Sequence, residues 1–326
     1  MNEIRELGLA MQTNKRPGDY AKLAQFAEEG GFGVVTVYND LWFQPALPAL
    51  LEIARETHRV RVGPSCLNPF TVHPVEIAGQ IAALDLASDG RAFLGLAAGT
   101  WLGPLGVEQG RPVTAIREAW DIVSRLLSGE RSGFDGDVFR LPHGQGLAYA
   151  RERPAVPLLV GTWSPRLTAF AAEYADELKL GGTANPALVQ LTRERLGPES
   201  ETGVVVGAVT VVDEDGEQAR EHARRQVAMY LDVVADFDPT VELDPDVLSA
   251  LKAHVAAGDD ESAAKLISDN VLDLFAFAGT PRQVAAQAEA LFDAGVRRID
   301  FGTPHGLDER GGVELIVGQV AASLTR

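Results

Sequence analysis

The sequence predicts a (β/α)8 barrel, and three observations carry that prediction. Short apolar runs alternate with helical patterns almost from end to end, giving eight β-then-α units in 326 residues. The runs are continuous rather than alternating, as strands covered on both faces require. The stretch after the first run, residues 12–18, lacks the GxGxxG that marks a doubly wound dinucleotide-binding sheet. One domain is expected over residues 1–326, with an insertion at about 236–274.

The first strand is expected at residues 7–12 (LGLAMQ), the second at 34–39 (VVTVYN) and the third at 60–67 (VRVGPSCL). The fourth and fifth fall at 92–98 and 156–161, the sixth at 177–180, the seventh at 204–212 and the eighth at 298–302. Between them, residues 19–29, 45–57, 75–87, 114–127, 166–174 and 281–294 repeat apolar positions every three or four residues, the period of a half-buried helix. Residues 132–145 (SGFDGDVFRLPHGQ) carry turn signals around alternating residues and read as a surface hairpin. Residues 236–274, acidic and punctuated by proline, are expected to hold one or two helices, either as a lid or as a passive excursion.

Composition narrows the function. A net charge of −17 argues against a nucleic-acid groove or an anionic membrane surface. The single cysteine, Cys66, excludes a disulfide framework and fits a reducing cytoplasm. The start, MNEIRELGLA, lacks a basic segment leading into a long apolar core, so no secretory leader is expected, and no run approaches the ~20 apolar residues of a membrane span. The six histidines show no ligand spacing, so no metal is expected.

In a barrel, chemistry gathers where strands end. No carboxylate pair ends two neighbouring strands and no GxSxG is present, which removes glycosidase and serine-nucleophile chemistry. The ends offer glycine, hydroxyls, amides and tryptophan: Ser65, Asn68, Thr100, Trp101, Thr162, Trp163 and Ser164. That inventory suits a planar cofactor that itself carries the electron chemistry. In GTWSPR (161–166), Pro165 starts a helix whose first amides can hold an anion. Trp42, Trp101 and Trp163 all fall at strand ends, as an aromatic chamber would require; Trp120, inside a helix, reads as core. Arg220, Arg224 and Arg225 read as a solvated helix face.

Residues 62–99 (VGPSCLNPFTVHPVEIAGQIAALDLASDGRAFLGLAAG), VGTWSPRLTAFAAEYADELKLGG (160–182) and FAGTPRQVAAQAEALFDAGVRRIDFGTPHG (277–306) resemble, in this order, the luciferase-like oxidoreductases that use FMN or coenzyme F420. The resemblance leans toward the branch around methylenetetrahydromethanopterin reductase. It implies a non-prolyl cis peptide at Ser65–Cys66 behind the deazaflavin ring, with Asn68 nearby. It implies a ring and ribityl contact at Gly99, Thr100 and Trp101, and phosphate contacts at Gly161, Thr162, Trp163, Ser164, Gly182 and Thr183. Asp40 matches the acid of the S-D-H stretch and is the expected cofactor and catalytic carboxyl, with Trp101 and His305 as further catalytic candidates. Three familiar ionisable positions are replaced by Ala10, Leu41 and Thr100, so the proton must come from elsewhere.

The function this implies is F420-dependent hydride transfer to a C=C or C=N bond of a small organic substrate, in a cytoplasmic homodimer. An FMN-dependent two-component monooxygenase and a catalytically silent flavin-binding barrel are the alternatives.

Overall fold

The computed structural model describes residues 5–324; the first four residues of the stretch read above for a leader lie outside the described residues. By internal packing the chain divides into two compact units, Met11–Glu28 with Gly33–Leu178, and Met1–Ala10 with Glu29–Phe32 and Lys179–Arg326. Among the described residues no helix is long and apolar enough to cross a membrane.

The first half of the chain runs β1 (Glu6–Met11), α1 (Asp19–Glu29), β2 (Val34–Val37), α2 (Ala46–Glu56), β3 (Arg61–Pro64), α3 (Pro74–Ala87), β4 (Leu94–Ala97) and α4 (Pro112–Ser128). A hairpin follows, β5 (Phe134–Asp135) with β6 (Arg140–Leu141), then β7 (Leu158–Gly161), α5 (Pro165–Tyr174), β8 (Glu177–Gly181) and α6 (Pro186–Leu196). The remainder is β9 (Gly203–Val212), α7 (Gly216–Val234), α8 (Pro245–Ala256), α9 (Asp260–Lys265), α10 (Asp269–Phe275), β10 (Ala276–Gly279), α11 (Pro281–Asp293), β11 (Arg298–His305) and α12 (Glu309–Leu315). Every expected strand is present within a few residues, and the hairpin pairs antiparallel through Phe134–Leu141 and Asp135–Arg140.

In the Met11–Leu178 unit, β2 pairs parallel with β3, β3 meets β4 at Val62–Ala92 and Leu67–Leu96, and β4 pairs parallel with β7. Parallel neighbours need long crossovers, which α2, α3, α4 and the hairpin supply. β2 is buried at every position, explaining its unbroken apolar run. Glu118 in α4 fixes the hairpin by accepting from the amides of Asp137, Val138 and Phe139.

In the other unit, β1 pairs parallel with β11 and β11 with β9. β9 is ten residues long, enough to take β10 as a further parallel partner at Val209–Val212. β10 was not expected: its four residues carry no periodicity of their own. The insertion holds three helices rather than one or two, started by the capping side chains of Asp244, Asp259 and Ser268. They bury Leu251, Ala263, Ile267, Leu272 and Phe275 against Ala219, Ala223, Val227 and Leu231 of α7. Burying a side chain such as Phe275 contributes about 1.5–3 kcal/mol. The solvated reading of α7 is corrected here: Arg220 is nearly buried, binding Asp273 at 2.7 Å and Asp269 at 3.0 Å, and Arg224 also pairs with Asp269. Two arginines thus lock α10 onto α7.

Candidate active site

The site is built first from the end of β3. The Ser65–Cys66 peptide is cis, as the resemblance implied. Neighbouring strands hold this segment: Ser65 N donates to Val37 O at 2.8 Å and Leu67 N to Gly95 O at 2.9 Å. A Cβ on Gly95 would lie 2.1 Å from Pro64 O, and one on Gly161 would lie 2.9 Å from Cys66 Sγ. The glycines of β4 and β7 therefore make the room in which this turn and its thiol sit. Both Ser65 and Cys66 are half-buried.

Asn68, nearly buried, follows. Its Oδ1 accepts from Phe70 N, Thr71 N and Thr71 Oγ1 at 2.9–3.1 Å. A backbone amide can only donate, so the orientation is fixed and Nδ2 lies on the Gly99 side, 3.2 Å from where a Cβ of that residue would stand. Gly99 has φ +82°, and Gln109 Nε2 ties the carbonyls of Ala98 and Gly99 at 2.5 and 3.0 Å. Beyond it Thr100 is exposed, and Trp101 is 51% exposed with φ +58°. Trp42, after β2, is 85% exposed with φ +71°. A left-handed backbone costs a bulky residue on the order of 1 kcal/mol or more, and an exposed indole regains little of that by packing. These two tryptophans lie in the loops that follow the strands on either side of β3.

At the end of β7, Gly161 is half-buried and Thr162 is buried, with its Oγ1 accepting from Ser164 N at 3.0 Å. Ser164 caps α5 without using its hydroxyl, and Pro165 occupies the first helical position. The amides of Arg166 and Leu167 therefore open the helix with no capping acceptor. Trp163 is half-buried.

Asp40 is solvent-accessible yet crowded by protein. That crowding raises its carboxyl above the ordinary 3.8, against a 2.8 Å hydrogen bond from Gln12 Nε2 that lowers it. Gln12 and Gln109 are the positioning groups that the sequence did not single out; an amide's partner lies far off in the chain, so no local spacing announces it.

The other unit holds the remaining candidates. His305 is buried rather than at an accessible rim. Its Nε2 is 3.1 Å from Ala10 O and its Nδ1 3.5 Å from Glu309 Oε1. Nε2 is thus committed to the protein, whereas the buried Nδ1 has no hydrogen-bond partner among the described residues. Of the two amides expected at a phosphate, Gly182 N is committed within the protein, whereas Thr183 N has no acceptor among the described residues. Gly182 N donates to Gly207 O at 2.6 Å, Ala184 N to Leu274 O at 2.8 Å, and Thr183 Oγ1 joins Leu274 O and Asn185 N. These hydrogen bonds dock the end of β8 on β9 and α10.

A groove of about 650 Å³ between α4, α5 and the hairpin, lined by Trp120, Phe134, Phe170 and Tyr174, contains none of the candidates. Its carboxylates are spent, Glu118 on hairpin amides and Asp121 on Arg125. Trp120 is half-buried there rather than core.

The profile of the luciferase-like monooxygenase family matches residues 3–298. The chain belongs to this family. Among its curated relatives, a 5,10-methylenetetrahydromethanopterin reductase of Archaeoglobus fulgidus is 28% identical over 323 residues, 94% of each chain. An F420-dependent glucose-6-phosphate dehydrogenase of Amycolatopsis mediterranei is 26% identical over 319 residues, 90% of this chain and 91% of the relative. The solved coenzyme F420-dependent tetrahydromethanopterin reductase of Methanopyrus kandleri superposes with a TM-score of 0.88 at 24% identity, over 98% of this chain and 99% of that one. The fold is thus the luciferase-like (β/α)8 barrel, and the resemblance read from the sequence is borne out.

Proposed function

We propose that this luciferase-like barrel is an F420-dependent oxidoreductase that reduces a C=C or C=N bond of a small organic substrate. The observation that carries the reading is the cis Ser65–Cys66 turn seated against Gly95 and Gly161, with the Asn68 amide beside Gly99 and the α5 N-terminus at the end of β7. Relatives named for F420 along 90% or more of the chain support the same cofactor. When bound, the reduced deazaflavin supplies a hydride. Asn68 Nδ2 would donate to the ring system beside Ser65 and Cys66, and Gly99 and Thr100 would leave space for the ribityl chain. The amides of Arg166 and Leu167, with the exposed Arg166 guanidinium, would hold the phosphate. These two amides open a helix, where the partial positive charge of its N-terminus favours an anion.

Asp40 supplies the proton that the replaced positions Ala10, Leu41 and Thr100 do not. Its raised pKa keeps it protonated to higher pH than an ordinary aspartate, the condition for a general acid. Trp42 and Trp101 form apolar walls that exclude water from the reacting bond. His305 positions the Ala10 carbonyl through Nε2. A cytoplasmic homodimer with residues 1–326 as one domain completes the reading, which includes no nucleic-acid or membrane partner.

Titrating the apoprotein with oxidised F420 and with FMN tests this. Tight F420 binding with weak FMN binding is expected. The reverse preference would replace the reading with a two-component monooxygenase. Binding of either without turnover of reduced F420 by an electron-poor enone or imine would favour a silent barrel.

A further inference from the structure

We propose that Gln12 is a positioning residue that selects which oxygen of Asp40 carries the transferable proton. The inference rests on Asp40 being the proton donor and adds how that donor is aimed.

The geometry is over-determined. Gln12 Oε1 accepts from Thr13 N at 2.8 Å and from Thr13 Oγ1 at 3.2 Å. A backbone amide has only a donor, so the atom facing it is the carbonyl oxygen and the other terminus is the NH2. That NH2 lies 2.8 Å from Asp40 Oδ2. Because it can only donate, Oδ2 is an acceptor in either protonation state, and the proton of the neutral acid resides on Oδ1. Thr13 is almost fully buried, with its carbonyl accepting from Gln44 N at 3.1 Å, and Tyr38 N donates to Met11 O at 3.0 Å. The frame holding Gln12 is therefore rigid.

No ion pair reaches Asp40 among the described residues. Of the titratable groups on the adjoining segments, Lys15 Nζ is bound to Asn14 Oδ1 and lies 6.0 Å from the Tyr20 ring centroid, and Tyr38 belongs to the same strand end as Asp40. The Gln12 amide is thus the main specific contact acting on the carboxyl. A donated hydrogen bond favours the charged form, so Gln12 holds down a pKa that crowding by the surrounding protein pushes up. The pair makes an acid that is protonated late enough to serve and ionised readily enough to give its proton away.

The test compares wild type, Gln12→Met and Gln12→Glu. Infrared difference spectra of each apoprotein against its Asp40→Asn counterpart follow the protonated carboxyl through a pH titration, with no need for turnover. The midpoint should rise in Gln12→Met, on the order of one pH unit, and rise further in Gln12→Glu, where two carboxyls share a proton. In parallel, the oxidation of reduced F420 by menadione should lose its alkaline limb at correspondingly higher pH in each variant. An unmoved midpoint and limb, whatever happens to thermal stability, would overturn the role of Gln12. If Asp40→Asn leaves the wild-type limb in place while the infrared midpoints move as expected, the positioning stands and the proton-donor reading of Asp40 falls.

Discussion

Lys179 Nζ lies 2.7 Å from Asp300 Oδ2, and both side chains are buried. Arg298 Nε reaches Asp300 Oδ1 at 2.9 Å, so one carboxylate is shared by two cations in the interior of its unit. Burial raises the Asp300 pKa, but Arg298 and Lys179 outweigh it and hold the carboxyl below the ordinary range. Two glycines make room: a Cβ on Gly8 would lie 2.1 Å from Asp300 Oδ1, and one on Gly207 would lie 2.8 Å from Lys179 Cε.

Asp300→Ala should therefore cost about 3–5 kcal/mol, because it strands two buried cations. A depressed carboxyl contributes stability that is full above its unfolded pKa of about 3.9 and is lost as pH falls through the folded value. Urea unfolding at pH 7 and near pH 3 should show the wild type weakening on acidification and Asp300→Asn weakening less. Equal acid sensitivity in the two would contradict this.

Asp40 should behave in the opposite way. Its folded pKa is raised, so the neutral form is the one the fold favours. Its ionisation subtracts stability as pH rises from the unfolded pKa through the folded one. Asp40→Asn should hold or raise the melting temperature at pH 7 while lowering turnover at least ~10²-fold, the usual weight of a general acid. A variant that melts markedly lower would mark the residue as structural.

Trp42→Ala and Trp101→Ala should leave stability within about 0.5 kcal/mol, since both indoles are exposed. Substrate KM should rise several-fold. Calorimetry beside steady-state kinetics separates the two effects, and loss of stability with unchanged KM would remove these side chains from the site.

The thiol of Cys66 serves as filler against Gly161. Gly161→Ala should cost about 1–3 kcal/mol through overpacking, and the penalty should shrink in a Cys66→Ala background. A double-mutant cycle showing strict additivity would contradict that contact.

The eight strands were legible because continuous apolar burial leaves an unmistakable run, as in VVTV of β2, buried throughout. The proline-led helix start after Ser164 was legible for the same local reason, whereas α6 after Asn185 was not read from the sequence. β10 was not, since pairing with Val209–Val212 is a fact about β9 and not about its own four residues. Arg220 looked solvated because Asp269 and Asp273 lie some fifty positions away in the chain.

At the site, sequence alone determined the residue types, the glycine-cleared strand ends and the family. Tertiary structure decided which of those groups still have hydrogen-bonding capacity to offer. The Thr183 hydroxyl and His305 Nε2 spend theirs on Leu274 and Ala10, whereas Asn68 keeps its amide beside Gly99 and Asp40 has its Oδ1 left over by Gln12. A hydrogen-bond donor can be assigned from composition, but whether it is already satisfied depends on what folding brings within 3 Å of it.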